Sequence, residues 1–130
     1  MYKIEKSALG YRLTFGGIMT KDELDQWYKE SKETLFGQHG PFGVLIDMRT
    51  LSPLPADAHE VMIRGQAMYR KHGMQRSCVI LEDAITTIQF RRLAKRSGIY
   101  AYERYLDASI HKDWQQLATN WITHSIDPTK

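Results

Sequence analysis

The sequence predicts an α/β domain, a mixed β-sheet packed with about four amphipathic helices in the order β-β-α-β-α-β-α-(β)-α. Three observations carry that reading. Phe42-Gly43-Val44-Leu45-Ile46-Asp47-Met48 is a near-continuous apolar run of strand length, the pattern of a strand covered on both faces. A turn over Arg49–Pro55 and a clean amphipathic helix follow it, which is half of a β-α-β unit. Strand-like and helix-like segments then alternate with short connections, favouring parallel neighbours joined by right-handed crossovers.

Taken in order, Tyr2–Lys6 and Tyr11–Phe15 flank Ala8-Leu9-Gly10 as a hairpin, and Gly16-Gly17 is expected to break the second strand. Thr20 with Glu23 three residues later is a capping-box signature. Leu24, Trp27, Tyr28, Ser31 and Leu35 then share one helical stripe, with Gly37 as its stop. After the Phe42–Met48 strand, Asp57 and Glu60 form a second expected capping pair. The helix behind them turns Ala58, Val61, Met62, Gly65, Met68 and Tyr69 to one face and ends at Gly73. Ser77-Cys78-Val79-Ile80-Leu81 is a second buried strand. Asp83 caps a third helix that runs to Ser97 and closes at Gly98. Ile99–Leu106, rich in Tyr, is expected to form a short last strand. From Ser109 onward, Ile110, Trp114, Leu117, Ala118 and Trp121 mark a final amphipathic helix.

At 130 residues the chain suits a single domain, residues 1–130, without repeat or linker. No run could span a bilayer, and MYKIEKSALG lacks the apolar core and cleavage site of a signal peptide. The lone Cys78 excludes a disulfide framework, so a reducing cytoplasm is the expected compartment. A net charge of +3 and a pI near 9.0 point weakly to anionic partners.

Thr14-Phe15-Gly16-Gly17, Phe42 through Arg49, Thr87-Ile88-Gln89-Phe90-Arg91-Arg92-Leu93-Ala94, and Tyr102-Glu103-Arg104-Tyr105 before a Trp-bearing helix together resemble the SpoIIAA-like branch of the STAS-type fold. The resemblance spans nearly the whole chain and implies a β/α domain used in bacteria for regulation by protein contact. In some relatives it implies binding of apolar or anionic small molecules. The sporulation antagonists of that group switch by phosphorylation of a Ser at the start of the helix after the central strand. Here that place holds Pro55-Ala56-Asp57-Ala58, with no hydroxyl, and Thr50 and Ser52 fall several residues too early. A phosphate on Ser52 would still meet a positive helix N-terminus.

No catalytic set emerges. The five histidines share no metal-ligand spacing, and no metal or cofactor is expected. His59 or Glu103 as acid or base defines the enzyme hypothesis, but adjacent His59 and Glu60 point about 100° apart on a helix. They read more simply as solvated first-turn residues. Cys78 reads as a small core residue rather than a nucleophile, and Gly16-Gly17 lacks the rest of a phosphate loop.

The third helix is the leading site. Thr86, Phe90, Leu93, Ala94 and Ser97 fall on one side, while Ile85 and Ile88 share the other with Arg92, Lys95, Arg96 and nearby Arg91. Such a face suits a homodimer seam, an acidic partner, or the lip of an anionic ligand site; a solvated face with its isoleucines under a loop is the plainer alternative. Nucleic acid is not expected, because no groove-reading motif accompanies the arginines. The C-terminal edge of the sheet adds Asp47, Arg49 and Ser52, although an Asp47–Arg49 pair or a turn-capping Asp is the commoner use. Met62, Met68, Trp27, Tyr28, Trp114 and Trp121 are expected to share one interior, as a core or an adaptable apolar pocket. The resulting expectation is a non-enzymatic interaction module contacting itself or another protein. The alternative is a carrier of an apolar acid held near Arg91, Arg92 or Arg104.

Overall fold

The computed structural model describes residues 1–129. A hairpin of β1 (Tyr2–Ser7) and β2 (Gly10–Gly17) opens the chain. Three crossovers follow: α1 (Lys21–Leu35) to β3 (Phe42–Leu51), α2 (His59–Lys71) to β4 (Met74–Leu81), and α3 (Ala84–Ser97) to β5 (Glu103–Asp107). A last helix, α4 (Trp114–His124), closes the domain. The strands lie in sequence order, β1-β2-β3-β4-β5, antiparallel for the first pair and parallel thereafter.

That unreversed order sets the layers. Crossovers of one hand that always step to the next strand leave their helices on the same face. Leu24 and Trp27 of α1, Met62 and Tyr69 of α2, and Phe90 and Leu93 of α3 accordingly form one core with Leu13, Phe15, Val44, Ile46, Val79 and Leu81. Among the described residues α4 is the one helix on the opposite face, where Trp114, Ala118, Trp121 and Ile122 meet Leu45, Cys78, Ile80 and Leu106. The tryptophans of α1 and α4 therefore do not share an interior. The sheet separates them, because the chain reaches α4 only after its last strand. No described helix is long and apolar enough to cross a membrane.

Local signals hold where one side chain decides the matter. Thr20 Oγ1 accepts from the Glu23 amide at 3.2 Å, and Asp83 Oδ2 accepts from the Thr86 amide at 2.8 Å. Gly98 ends α3 in the left-handed region at φ 89°. Elsewhere neighbours override the pattern. Gly16 and Gly17 continue β2 through a register shift, pairing with Thr50 and Leu51, so β3 also outruns Met48. Asp57 does not cap α2, which grows out of a single 3-10 turn at Ala56–Ala58. Phe36 rather than a glycine caps α1. Tyr100–Tyr102 form another 3-10 turn, so β5 begins only at Glu103. Residue Ile110 sits in the turn before α4 and is 71% exposed.

The α1–α2 contact turns on one glycine. Trp27 stacks on Tyr69 at 5.9 Å with planes 6° apart, and its edge meets Phe15 at 5.2 Å. Gly65 makes room for the indole: a Cβ there would collide with Trp27 Cζ3 and Cη2. Mid-helix Gly costs about 1 kcal/mol against Ala, so the ring's fit outweighs propensity. Gly65→Ala is expected to lower stability by about 2 kcal/mol in urea unfolding, within the usual overpacking range. A variant as stable as the parent would show that the indole yields.

Candidate functional site

The outward face of α3 is set by what its inward face buries. Thr86, Phe90, Leu93 and Ala94 enter the core, and the helical period then forces Ile85 and Ile88 outward, 67% and 51% exposed. Arg91, Arg92, Lys95 and Arg96 are exposed on the same helix. No loop covers the isoleucines.

Between this face and the start of α2 runs a groove of about 380 Å³, lined by His59, Ile85, Ile88, Arg92 and Leu93. Its floor is pinned by Gln89, whose Nε2 donates to the Leu54 carbonyl at 2.9 Å while its Oε1 accepts from the Leu54 amide at 2.6 Å. The same Nε2 lies 3.1 Å from His59 Nε2. That ring nitrogen also lies 3.3 Å from the Leu54 carbonyl. Across the groove Arg96 pairs with Glu60 at 2.5 Å, so Glu60 serves α3 rather than His59. Both partners are more than half exposed, and such a pair orients more than it stabilises.

Asp47, Arg49 and Ser52 do not join this face. Asp47 receives the Arg49 amide at 3.1 Å, its Nε at 3.0 Å and its Nη2 at 2.9 Å, with Arg12 at 3.3 Å. Burial pushes the Asp47 carboxyl up, but these hydrogen bonds and cations outweigh it and hold the group below its ordinary range. Arg49 lies 4.8 Å over the Trp114 ring, on the α4 side of the sheet. The cluster is saturated and holds the C-terminal end of β3. Ser52 donates its amide to Gly17 at 3.0 Å and precedes the 3-10 turn rather than starting a helix. Arg12 and Gln89 escaped the sequence reading. Alternation along β2 was the available signal for Arg12, opposite Tyr11, Leu13 and Phe15, whereas nothing local marks Gln89.

The remaining reactive groups are enclosed. Burial pushes the Cys78 thiol up to about 12, with Glu103 adding to the effect, which leaves little thiolate near neutrality. Glu103 is buried on β5, and desolvation pushes its carboxyl up to about 7 against the pull of two donated bonds. Those come from Ser77 Oγ at 2.7 Å and the Tyr105 hydroxyl at 2.6 Å. Glu103 also borders a void of about 20 Å³ among Phe15, Trp27, Met62 and Phe90, room for about one water. Trp27 Nε1 is the one buried side-chain polar atom without a partner among the described residues. Those residues also hold no cluster of metal-ligating groups.

No protein-family model matches this chain, and no curated protein does. Among solved structures it is similar to an uncharacterized protein of the DUF3478 family from Shewanella loihica PV-4, which has a SpoIIAA-like fold. The two share 18% identity over 94% of this chain and 92% of the other, with a TM-score of 0.58. The chain therefore has the SpoIIAA-like fold.

Glu103 generates a pH dependence of definite sign. A carboxyl raised from 4.5 to about 7 binds its proton more tightly when folded. The linked stability is complete below pH 4.5 and is lost as pH rises through 7, amounting to about 3 kcal/mol. Glu103→Gln removes this term, so the stability difference between variant and parent is expected to shift toward the variant by that amount from pH 5 to 8. Parallel urea-unfolding profiles for the two proteins would contradict the assignment.

Proposed function

We propose that this domain is a non-enzymatic regulatory module that works by protein contact, with the outer face of α3 as its docking surface. One observation carries the reading: Ile85 and Ile88 stand exposed among Arg91, Arg92, Lys95 and Arg96. An isoleucine loses about 1.5–3 kcal/mol of favourable burial by staying in water, and here two do so side by side. The surrounding cations select a partner with apolar knobs set among carboxylates, and they disfavour basic surfaces. The SpoIIAA-like fold fits this use. A phosphorylation switch at the head of α2 is not part of the proposal, since residues 55–58 carry no hydroxyl.

A second reading rests on the α2–α3 groove, whose volume of about 380 Å³ falls within the range of small-molecule sites. Its apolar walls and the Arg92 and Arg96 rim suit an apolar acid.

One experiment separates the two. A photo-crosslinking amino acid replaces Ile88 in the source cell, while native mass spectrometry is run on the purified parent. The interaction reading expects one dominant polypeptide adduct, lost in Arg92→Glu/Arg96→Glu, with Ile88→Glu unfolding within about 0.5 kcal/mol of the parent. Absence of any polypeptide adduct, with a small molecule leaving the protein on denaturation, would replace it by the carrier reading.

A further inference from the structure

β5 bonds only to β4, so its far side is an open sheet edge. The Ala108 amide donates to the Leu81 carbonyl at 2.9 Å. Strand alternation therefore turns the main chain of Arg104 and Leu106 toward β4 and that of Glu103, Tyr105 and Asp107 outward. Several outward groups are already engaged. The Glu103 amide donates to Tyr100, and its carbonyl accepts from Arg104 Nη1 at 3.0 Å. The Asp107 carbonyl accepts from the amides of Ile110 and His111 at 3.1 and 2.9 Å. The Tyr105 amide and carbonyl and the Asp107 amide are left over.

α3 walls this edge. Two clefts, of about 480 and 360 Å³, meet at Arg91 and Tyr105, which line both. Together they make a trough along β5, with Tyr100 and Arg104 at one end and Ile88 and His111 at the other. The Arg91 guanidinium stands 5.4 Å from the Tyr105 ring, above the residue whose main chain is free. No carboxylate of the described residues pairs with Arg91, whereas Arg104 is held by Asp127 at 3.0 Å.

From this juxtaposition we propose that the β5 edge accepts an extended acidic peptide as an added strand, with a carboxylate of the peptide on Arg91. Strand addition draws affinity from main-chain bonds and specificity from alternate side chains; the free groups of Tyr105 and Asp107 supply the first, Arg91 and Ile88 the second. Charge decides against a second copy as occupant. An antiparallel β5–β5 pair would set two α3 helices side by side on one face, with Arg91, Arg92 and Lys95 confronting their own equivalents. The inference goes beyond the docking reading of the α3 face: it shares Arg91 and Ile88 with that reading but adds main-chain bonds from β5, on which that reading makes no claim.

The test uses the full chain, isotopically labelled for amide NMR. The probes are an end-blocked heptapeptide of alternating Val and Glu, the same peptide with Lys for Glu, and two N-methylated forms blocking either the Val or the Glu amides. The Glu peptide is expected to bind, shifting the Tyr105 and Asp107 amides and slowing exchange at Tyr105. The Lys peptide should not bind, and only one N-methylated form should lose affinity, since alternate amides face β5. Arg91→Glu should weaken binding roughly ten-fold and Arg91→Gln less. Three results would overturn the proposal: no binding up to about 1 mM, equal binding by both N-methylated forms, or slowed Tyr105 exchange in concentrated protein without peptide. The last would give the edge to a second copy. None of the three alters a crosslink from position 88.

Discussion

Everything distinctive about this molecule follows from a sheet whose strand order never turns back. Because β2 through β5 follow one another in space as in sequence, α1, α2 and α3 crowd one face, and a single helix must serve the other. A doubly wound sheet reverses its order and opens a ligand crevice at the reversal. Here there is no reversal, so the C-terminal edge carries capped turns and saturated ion pairs, as the Asp47 cluster shows. Surface available for recognition is pushed sideways, onto the last crossover helix and the last strand.

The same asymmetry explains where charge lies. α4 packs on Leu45, Cys78, Ile80 and Leu106 and leaves the outer face of the hairpin strands uncovered. Lys3, Glu5, Arg12 and Thr14, which alternate with core residues along β1 and β2, are exposed or half-buried there. Arg12 uses that freedom to reach Asp47. On the crowded face the balance is the opposite: Glu103 is buried with only hydroxyl donors, and burial pushes its carboxyl up. One sheet carries a solvated ionic surface on one side and an uncompensated acid on the other.

What could be read in the chain follows the range of each interaction. Thr20, Asp83 and Gly98 act within a few residues, and each does what its spacing implies. The phase of α3 was legible because Thr86, Phe90, Leu93 and Ala94 leave no other face to bury, which exposes Ile85 and Ile88. The start of α2 was not. Asp57 and Glu60 have capping spacing, but a 3-10 turn starts the helix earlier and Arg96 claims Glu60. Trp27 and Trp121 look alike as members of amphipathic helices, and only the topology of the sheet assigns them to separate layers. The bond from Gln89 to Leu54, across 35 residues, has no local signature at all.

The division of the aromatic residues also gives the protein two optical reporters. Trp27 lies in the helical layer against Tyr69 and Phe15. Trp114 and Trp121 lie in the other, each beneath an arginine. An indole stacked among aromatic rings and an indole under a guanidinium meet different polarity and different quenchers. Loosening of the helical layer bares Trp27 to water, and loosening of the other bares Trp114 and Trp121.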